Sequence, residues 1–102
     1  MYKRQDVEAA VDAIAEVRSG NVIAFSVAGE GKETVVVVAE TKEKSGFDEI
    51  MANIKKATIA AVGVPVGKIM LVKPSTLPKT SSGKVQRSKC KQLYLAGELR
   101  TL

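Results

Sequence analysis

The stretch VIAFSVAGEGKETVVVVA, residues 22–39, contains two apolar segments joined by a short glycine-rich link. Residues 22–28 and 34–39 are rich in valine and other strand-favouring residues, and each segment is long enough for one buried strand. Residues 29–32 include two glycines, which suit a tight turn. The stretch therefore predicts an antiparallel β-hairpin.

The segment before the hairpin predicts an amphipathic helix. Asp6 is suited to cap the first turn, and Gly20 is a common residue after the last one. We therefore expect the helix to begin at Asp6 and to end at Gly20. Its apolar face recurs at spacings of about 3.6 residues and consists of Val7, Ala10, Val11, Ile14 and Val17.

A second amphipathic helix is expected after the hairpin. Ser45 opens this helix, and Asp48 follows three residues later, which is the spacing of a capping box. The apolar stripe extends from Phe47 to Val62, and Gly63 with Pro65 is expected to end the helix.

The remaining segments complete the predicted fold. Residues 69–72 form a short apolar strand, residues 75–84 a loop, and a last short helix carries Cys90 with Leu93 and Tyr94 on one face. The order helix, two strands, helix, strand, loop, helix predicts one α+β domain over residues 1–102. In this domain a small three-stranded sheet with a hairpin is covered by helices.

The composition excludes several kinds of chemistry. The chain has no histidine, and Cys90 is its single cysteine, so histidine-based catalysis, an intrachain disulfide and a cysteine metal site are excluded. We expect no metal ligands in this chain. No apolar run approaches the roughly 18 residues of a membrane span, so no membrane span is expected.

The charge is unevenly distributed along the chain. Residues 1–49 contain ten acidic and six basic residues, whereas residues 50–102 contain ten basic residues and one acidic residue. The second half therefore carries a formal charge of +9 and favours a surface that faces an anion. With four aromatic residues in the chain, a base-stacking nucleic-acid surface is disfavoured.

Residues 77–87, LPKTSSGKVQR, combine cations with small, flexible residues between a strand and a helix. Backbone amides and an ammonium group in such a loop can approach a phosphate or a carboxylate. The loop is not a G-x-x-x-x-G-K-S/T phosphate loop. Pro78 occupies the first glycine position, and Val85 follows Lys84 in place of serine or threonine.

The pattern Pro78-Lys79-Thr80-x-Ser82-Gly83-Lys84-x-x-Arg87 resembles the final signature of the adenylate-forming superfamily. This superfamily includes acyl-CoA synthetases, adenylation domains of nonribosomal peptide synthetases and firefly luciferases. The resemblance implies a mobile C-terminal lid domain whose lysine reaches into the active site of a large N-terminal domain, which this sequence does not contain. Residues 5–8 resemble the segment just after the interdomain hinge. We expect the chain alone to be inactive.

Residues 22–27 and 90–99 are similar to fatty acyl-AMP ligases. This likeness implies ATP-dependent activation of a fatty acid to acyl-AMP, with ATP and Mg²⁺ bound mainly by the N-terminal domain. The acceptor would be the phosphopantetheine arm of an acyl-carrier protein, and coenzyme A, used by an acyl-CoA synthetase, is the alternative. A cytoplasmic location is expected.

The resemblance also assigns the candidate site residues. Lys84 would be catalytic, because its ammonium can contact both the attacking carboxylate and the nucleotide phosphates. Supporting roles in the loop are expected for Gly83, Ser82 and Thr80. Contacts to phosphate or to the carrier are expected for Arg87, Lys79 and Lys89, although an ordinary surface role is an open alternative for each.

Two other functional classes stay open on the sequence alone. A small basic nucleic-acid-binding module would use the +9 half of the chain to contact phosphates. A regulatory or scaffold domain would keep the lid fold without an adenylating partner domain. We expect no nucleic-acid binding, whereas the scaffold role stays an open alternative.

Overall fold

A computed structural model describes residues 4–29, 32–63, 66–74 and 76–99. Three strands form one sheet in the order β1-β2-β3, with β1 antiparallel to β2 and β2 parallel to β3. The predicted α+β domain with its hairpin is confirmed. The elements are α1 (Arg4–Asp12), β1 (Val17–Gly29), β2 (Lys32–Thr41), α2 (Phe47–Val62), β3 (Lys68–Val72) and α3 (Arg87–Leu95).

Both faces of the sheet are buried, which accounts for the uninterrupted valines of β2. Successive side chains of a strand point to opposite faces. One face packs against α1 and α2, and its core includes Val7, Val11, Val35, Val37, Ile50, Ile54 and Leu71. The other face packs against α3 and the preceding loop, and its core includes Phe25, Val36, Val38, Met70, Val72, Leu77 and Cys90.

The first helix is shorter than predicted. It extends from Arg4 to Asp12, so Asp6 lies in its first turn and is not its cap. Val17 belongs to β1, where it is buried and pairs with Thr41. Gly20 also lies in β1, with a φ of 78°, and the strand register shifts between Val17 and Val22. The left-handed conformation of Gly20 accommodates this bulge, because glycine adopts positive φ without a steric penalty.

The second helix begins one residue later than a Ser45 cap requires. Gly46, with a φ of 74°, is the N-cap residue, and no side chain caps the helix. The predicted capping box at Ser45 is therefore wrong, and Asp48 instead lies in the first turn, where a negative charge is favourable. Gly63 ends the helix as predicted, and its N–H donates to the carbonyl of Ile59 at 2.8 Å.

Two predicted features lie outside the described residues. These are the centre of the hairpin turn, Glu30 and Gly31, and Pro65 after the second helix. In the part of the chain that the structure describes, no helix has the length and apolar character needed to cross a membrane.

Cys90 is fully buried in the core beneath α3, as its position on the apolar helix face predicts. Burial raises the pKa of its thiol from 9.0 to about 11. A thiol that stays protonated is a poor nucleophile, so its environment is that of a core residue.

Candidate functional site

The lysine-bearing loop forms a short, ordered hairpin. The N–H of Thr80 donates to the carbonyl of Lys84 at 2.8 Å, and the N–H of Gly83 donates to the carbonyl of Thr80 at 2.9 Å. Gly83 has a φ of 86°, in the left-handed region. A tight turn closed by a left-handed glycine is a common way to connect two antiparallel segments. The loop therefore places Lys84 directly after the turn.

A short stem supports this turn. Lys79 and Val85 pair as an antiparallel bridge, and the N–H of Gln86 donates to the carbonyl of Pro78 at 2.8 Å. The two segments that flank the turn are thus joined to each other before the chain enters α3.

The hydroxyl groups of the loop bond to the loop itself. The hydroxyls of Thr80 and Ser82 lie 2.9 Å apart, and the backbone N–H of Lys84 donates to Thr80 Oγ1 at 3.2 Å. Both side chains therefore stabilise the turn in this structure. Their contact with a nucleotide stays a prediction.

The Lys84 side chain is exposed. Within the described residues, no carboxylate forms an ion pair with its ammonium group. The loop thus combines an ordered backbone with a solvent-exposed, positively charged group. Such a group can meet an anion without first breaking an internal salt bridge.

Arg87, the first residue of α3, binds Glu8 of α1 at the free edge of β1. Arg87 Nη2 donates to Glu8 Oε1 at 2.9 Å and to Oε2 at 2.8 Å. Arg87 Nε donates to the carbonyl of Ala24 at 3.1 Å, and the N–H of Ala24 donates to Glu8 Oε2 at 2.9 Å. We call Glu8, Ala24 and Arg87 the edge clamp. A phosphate contact of Arg87 stays a prediction.

A second carboxylate holds the start of the loop. Glu40, at the end of β2, is fully buried, and its Oε2 accepts the N–H of Leu77 at 3.0 Å. Its Oε1 accepts a charge-assisted hydrogen bond from Arg18 Nη1 at 2.8 Å. Leu77 is itself buried in the core beneath the loop. Glu40 and the edge clamp therefore fix the two ends of residues 77–87.

Neither Glu8 nor Glu40 is among the site residues predicted from the sequence. The resemblance at residues 5–8 includes Glu8 but assigns it no role, and Glu40 follows the valines of β2 without any local sign of its partners. One signal was available for Glu40. It continues a strand that is buried on both faces, and a buried carboxylate is normally paired or hydrogen-bonded.

The other predicted basic residues stand apart from the clamp. Lys79 is exposed in the stem of the loop, and Lys89 is exposed on α3. Their contacts with phosphate or a carrier stay predictions. In the described ranges, no group of three or more histidine, cysteine, aspartate or glutamate side chains is placed to hold a metal ion.

Comparisons with known proteins agree on one family. A family model described as "Disco-interacting protein 2-like, AMP domain" matches residues 1–102. A probable long-chain-fatty-acid–AMP ligase of Mycobacterium tuberculosis is 36% identical over 103 residues, covering 93% of this chain and 17% of that protein. A medium-chain-fatty-acid–acyl-carrier-protein ligase of Moorena producens is 34% identical over 100 residues, covering 93% of this chain and 17% of that protein.

Solved structures show the same fold. The fatty acid AMP ligase of Legionella pneumophila aligns with a TM-score of 0.81 at 22% identity, over 96% of this chain and 18% of that one. The chain thus spans about a sixth of the length of these curated relatives.

Proposed function

The chain belongs to the Disco-interacting protein 2-like AMP domain family, and we propose that it is the C-terminal lid domain of an enzyme that activates fatty acids as acyl-AMP. On this proposal, a larger N-terminal domain would complete the enzyme. The proposal rests mainly on one observation about Lys84. Lys84 is an exposed cation on a loop with backbone hydrogen bonds at its turn and its stem. The backbone of Leu77 anchors the start of this loop to Glu40, and the side chain of Arg87 anchors its end to Glu8.

The proposed role of Lys84 follows from the charges of the reactants. The carboxylate of the fatty acid attacks the α-phosphorus of ATP, so two anions must meet and pyrophosphate leaves. An ammonium group that contacts both anions offsets their repulsion and stabilises the charge that gathers at phosphorus. Because the loop is already ordered, little conformational freedom is lost when Lys84 reaches the reacting groups.

The nucleotide would be held mainly by the larger domain. Adenylate-forming ligases use ATP, and we propose that Mg²⁺ accompanies it. The described residues of this chain contain no cluster of metal ligands, so they do not fit a Mg²⁺ site. This chain would supply the lysine and an ordered backbone.

The proposed acceptor is the phosphopantetheine thiol of an acyl-carrier protein. The name of the Moorena producens relative states such an acceptor for that protein. Residues 50–97 of this chain contain nine basic residues and no acidic residue, and carrier proteins are usually acidic. Attraction between such surfaces raises the encounter rate. Coenzyme A is also anionic and stays the alternative acceptor, and the cytoplasmic location stays a prediction.

Pyrophosphate release tests this function. The full-length enzyme, supplied with a fatty acid and ATP, should release pyrophosphate and form acyl-AMP, whereas residues 1–102 alone should do neither. If the full-length protein forms no acyl-AMP from any chain length of fatty acid, the proposal is wrong. Binding of mixed RNA at physiological salt would then favour the nucleic-acid alternative.

A further inference from the structure

We propose that Glu8 is a positioning residue for Lys84 and acts through Arg87. The inference rests on the proposed function, because it requires Lys84 to meet the reacting groups. The carboxylate of Glu8 binds the guanidinium of Arg87 through both oxygens, at 2.9 and 2.8 Å. Arg87 lies three residues after Lys84 in the sequence.

A continuous set of contacts links Arg87 to Lys84. Gln86 precedes Arg87, and its N–H is held by the carbonyl of Pro78. The bridge between Lys79 and Val85 follows, and then the hydrogen bond from Thr80 to Lys84. A shift of Arg87 would therefore move the stem of the hairpin, and the stem carries Lys84.

The geometry of the edge clamp requires this particular pair of residues. The guanidinium uses Nε for the carbonyl of Ala24 and Nη2 for Glu8, so its plane is fixed by two partners at once. The side chains of Arg87 and Glu8 are 34% and 20% exposed, so water competes only partly for these bonds. A lysine at position 87 could not make both contacts from one nitrogen with the same directions.

The edge clamp also connects two layers of the domain. Glu8 belongs to α1, which packs on one face of the sheet, and Arg87 opens α3, which packs on the other. β1 is an edge strand of the described sheet, so the backbone of Ala24 is accessible to both side chains there. Because residues 5–8 resemble the segment after the hinge, the clamp would make the hinge-side helix and the Lys84 loop move as one body.

The test measures both half-reactions of the full-length enzyme in a double-mutant cycle. The variants are Glu8→Ala, Lys84→Ala and the double variant, with Glu49→Ala as a control because Glu49 is exposed on α2. Acyl-AMP formation is measured from fatty acid and ATP, and acyl transfer from pre-made acyl-AMP. Melting temperatures are recorded for every variant.

We expect Glu8→Ala to slow acyl-AMP formation about tenfold or more, since small displacements of a positioned group are costly. Acyl transfer should stay within about twofold, and Glu8→Ala should have no further effect when Lys84 is already alanine. Glu8→Gln should recover part of the rate, because its amide oxygen can still accept one bond from Arg87. If Glu8→Ala is insoluble, Arg87→Lys tests the same contact.

Three results would overturn the inference. They are an equal loss in both half-reactions, a further loss in the Lys84→Ala background, and an unchanged rate in Glu8→Ala. Failure of the proposed function gives a different result, because the wild-type full-length enzyme would then form no acyl-AMP from fatty acid and ATP.

Discussion

The buried carboxylate of Glu40 accepts the backbone N–H of Leu77 at 3.0 Å, although the two residues are 37 positions apart in the sequence. This contact joins the end of β2 to the start of the lysine loop. The same carboxylate pairs with Arg18, so its charge is compensated within the domain. The loop thus starts from a fixed point in the core.

Removing this carboxylate should destabilise the domain. Glu40→Ala leaves the N–H of Leu77 and the guanidinium of Arg18 without this partner, and we expect a loss of about 2–4 kcal/mol in the free energy of unfolding. Urea denaturation followed by circular dichroism measures this loss. Glu43→Ala, at a nearby exposed position, should change stability by less than about 0.5 kcal/mol. Equal stabilities of the two variants would contradict the role of Glu40.

The left-handed turn residue should matter for activity. Apart from the two residues next to Gly83 in the chain, no atom of the described residues lies within 4 Å of the position that a Cβ would take there, so the cost of Gly83→Ala comes from its φ of 86° and not from a clash. That cost is about 1–2 kcal/mol, and we expect slower acyl-AMP formation in the full-length enzyme. Gly83→Asn should be milder, because asparagine tolerates this region better.

The control for the turn is Ser81→Ala, an exposed position in the same loop. It should keep the wild-type rate. A Gly83→Ala enzyme that is as fast as the Ser81→Ala enzyme would show that the turn geometry is unimportant.

Cys90 should react slowly with thiol reagents in the folded domain. Burial raises the pKa of its thiol to about 11, so the thiol stays protonated well above pH 8. Labelling with a disulfide reagent at pH 8 should be slow in buffer and fast in denaturing urea. Rapid labelling of the folded protein would contradict the buried position.

The same pKa shift predicts a pH dependence of stability. The thiol titrates near pH 9.0 when exposed and near pH 11 when folded. Its contribution to stability is therefore complete below about pH 9 and is lost as the pH rises towards 11. The Cys90→Ala variant should therefore lose less stability than the wild type between pH 9 and pH 11.

The acceptor can be identified by competition. Supplied with a fatty acid, ATP and equal concentrations of coenzyme A and holo-carrier protein, the full-length enzyme should form mainly acyl-carrier thioester. The rate of carrier loading should fall as salt increases, because the nine basic residues within 50–97 attract an acidic partner. Predominant acyl-CoA would instead identify an acyl-CoA synthetase and would leave the role of Lys84 unchanged.

The sequence predicted those parts of the fold that depend on local patterns. The valines of β2, the glycine-rich link and the apolar stripe of α2 are strong short-range signals, and the hairpin, the second helix and the third strand formed where expected. The predicted end of α1 was wrong because Val17 continues the helical spacing of apolar residues and also fits a strand opposite Thr41. In the structure Val17 pairs with β2 and belongs to the strand, not to the helix.

The candidate site was predictable only where it follows a linear motif. The signature at residues 78–87 identified Lys84, Gly83, Thr80 and Ser82 as one loop, and the structure shows this loop as a hydrogen-bonded hairpin. The contacts from Glu8 to Arg87 and from Glu40 to Leu77 span 79 and 37 residues. Such partners depend on the folded sheet and leave no periodic signal in the sequence.

The most direct test of the account is the rate of each half-reaction in full-length Lys84→Ala, with Lys42→Ala as the control at an exposed position between β2 and α2. We expect Lys84→Ala to slow acyl-AMP formation from fatty acid and ATP by about 10²–10³, the usual cost of losing one charge-stabilising contact. Transfer from pre-made acyl-AMP should stay within about threefold of the wild-type rate, because a mobile lid domain would carry Lys84 away from the reacting groups before that step. Lys42→Ala should retain both rates. A Lys84→Ala enzyme that forms acyl-AMP at the wild-type rate, or that loses both half-reactions equally, would contradict the account.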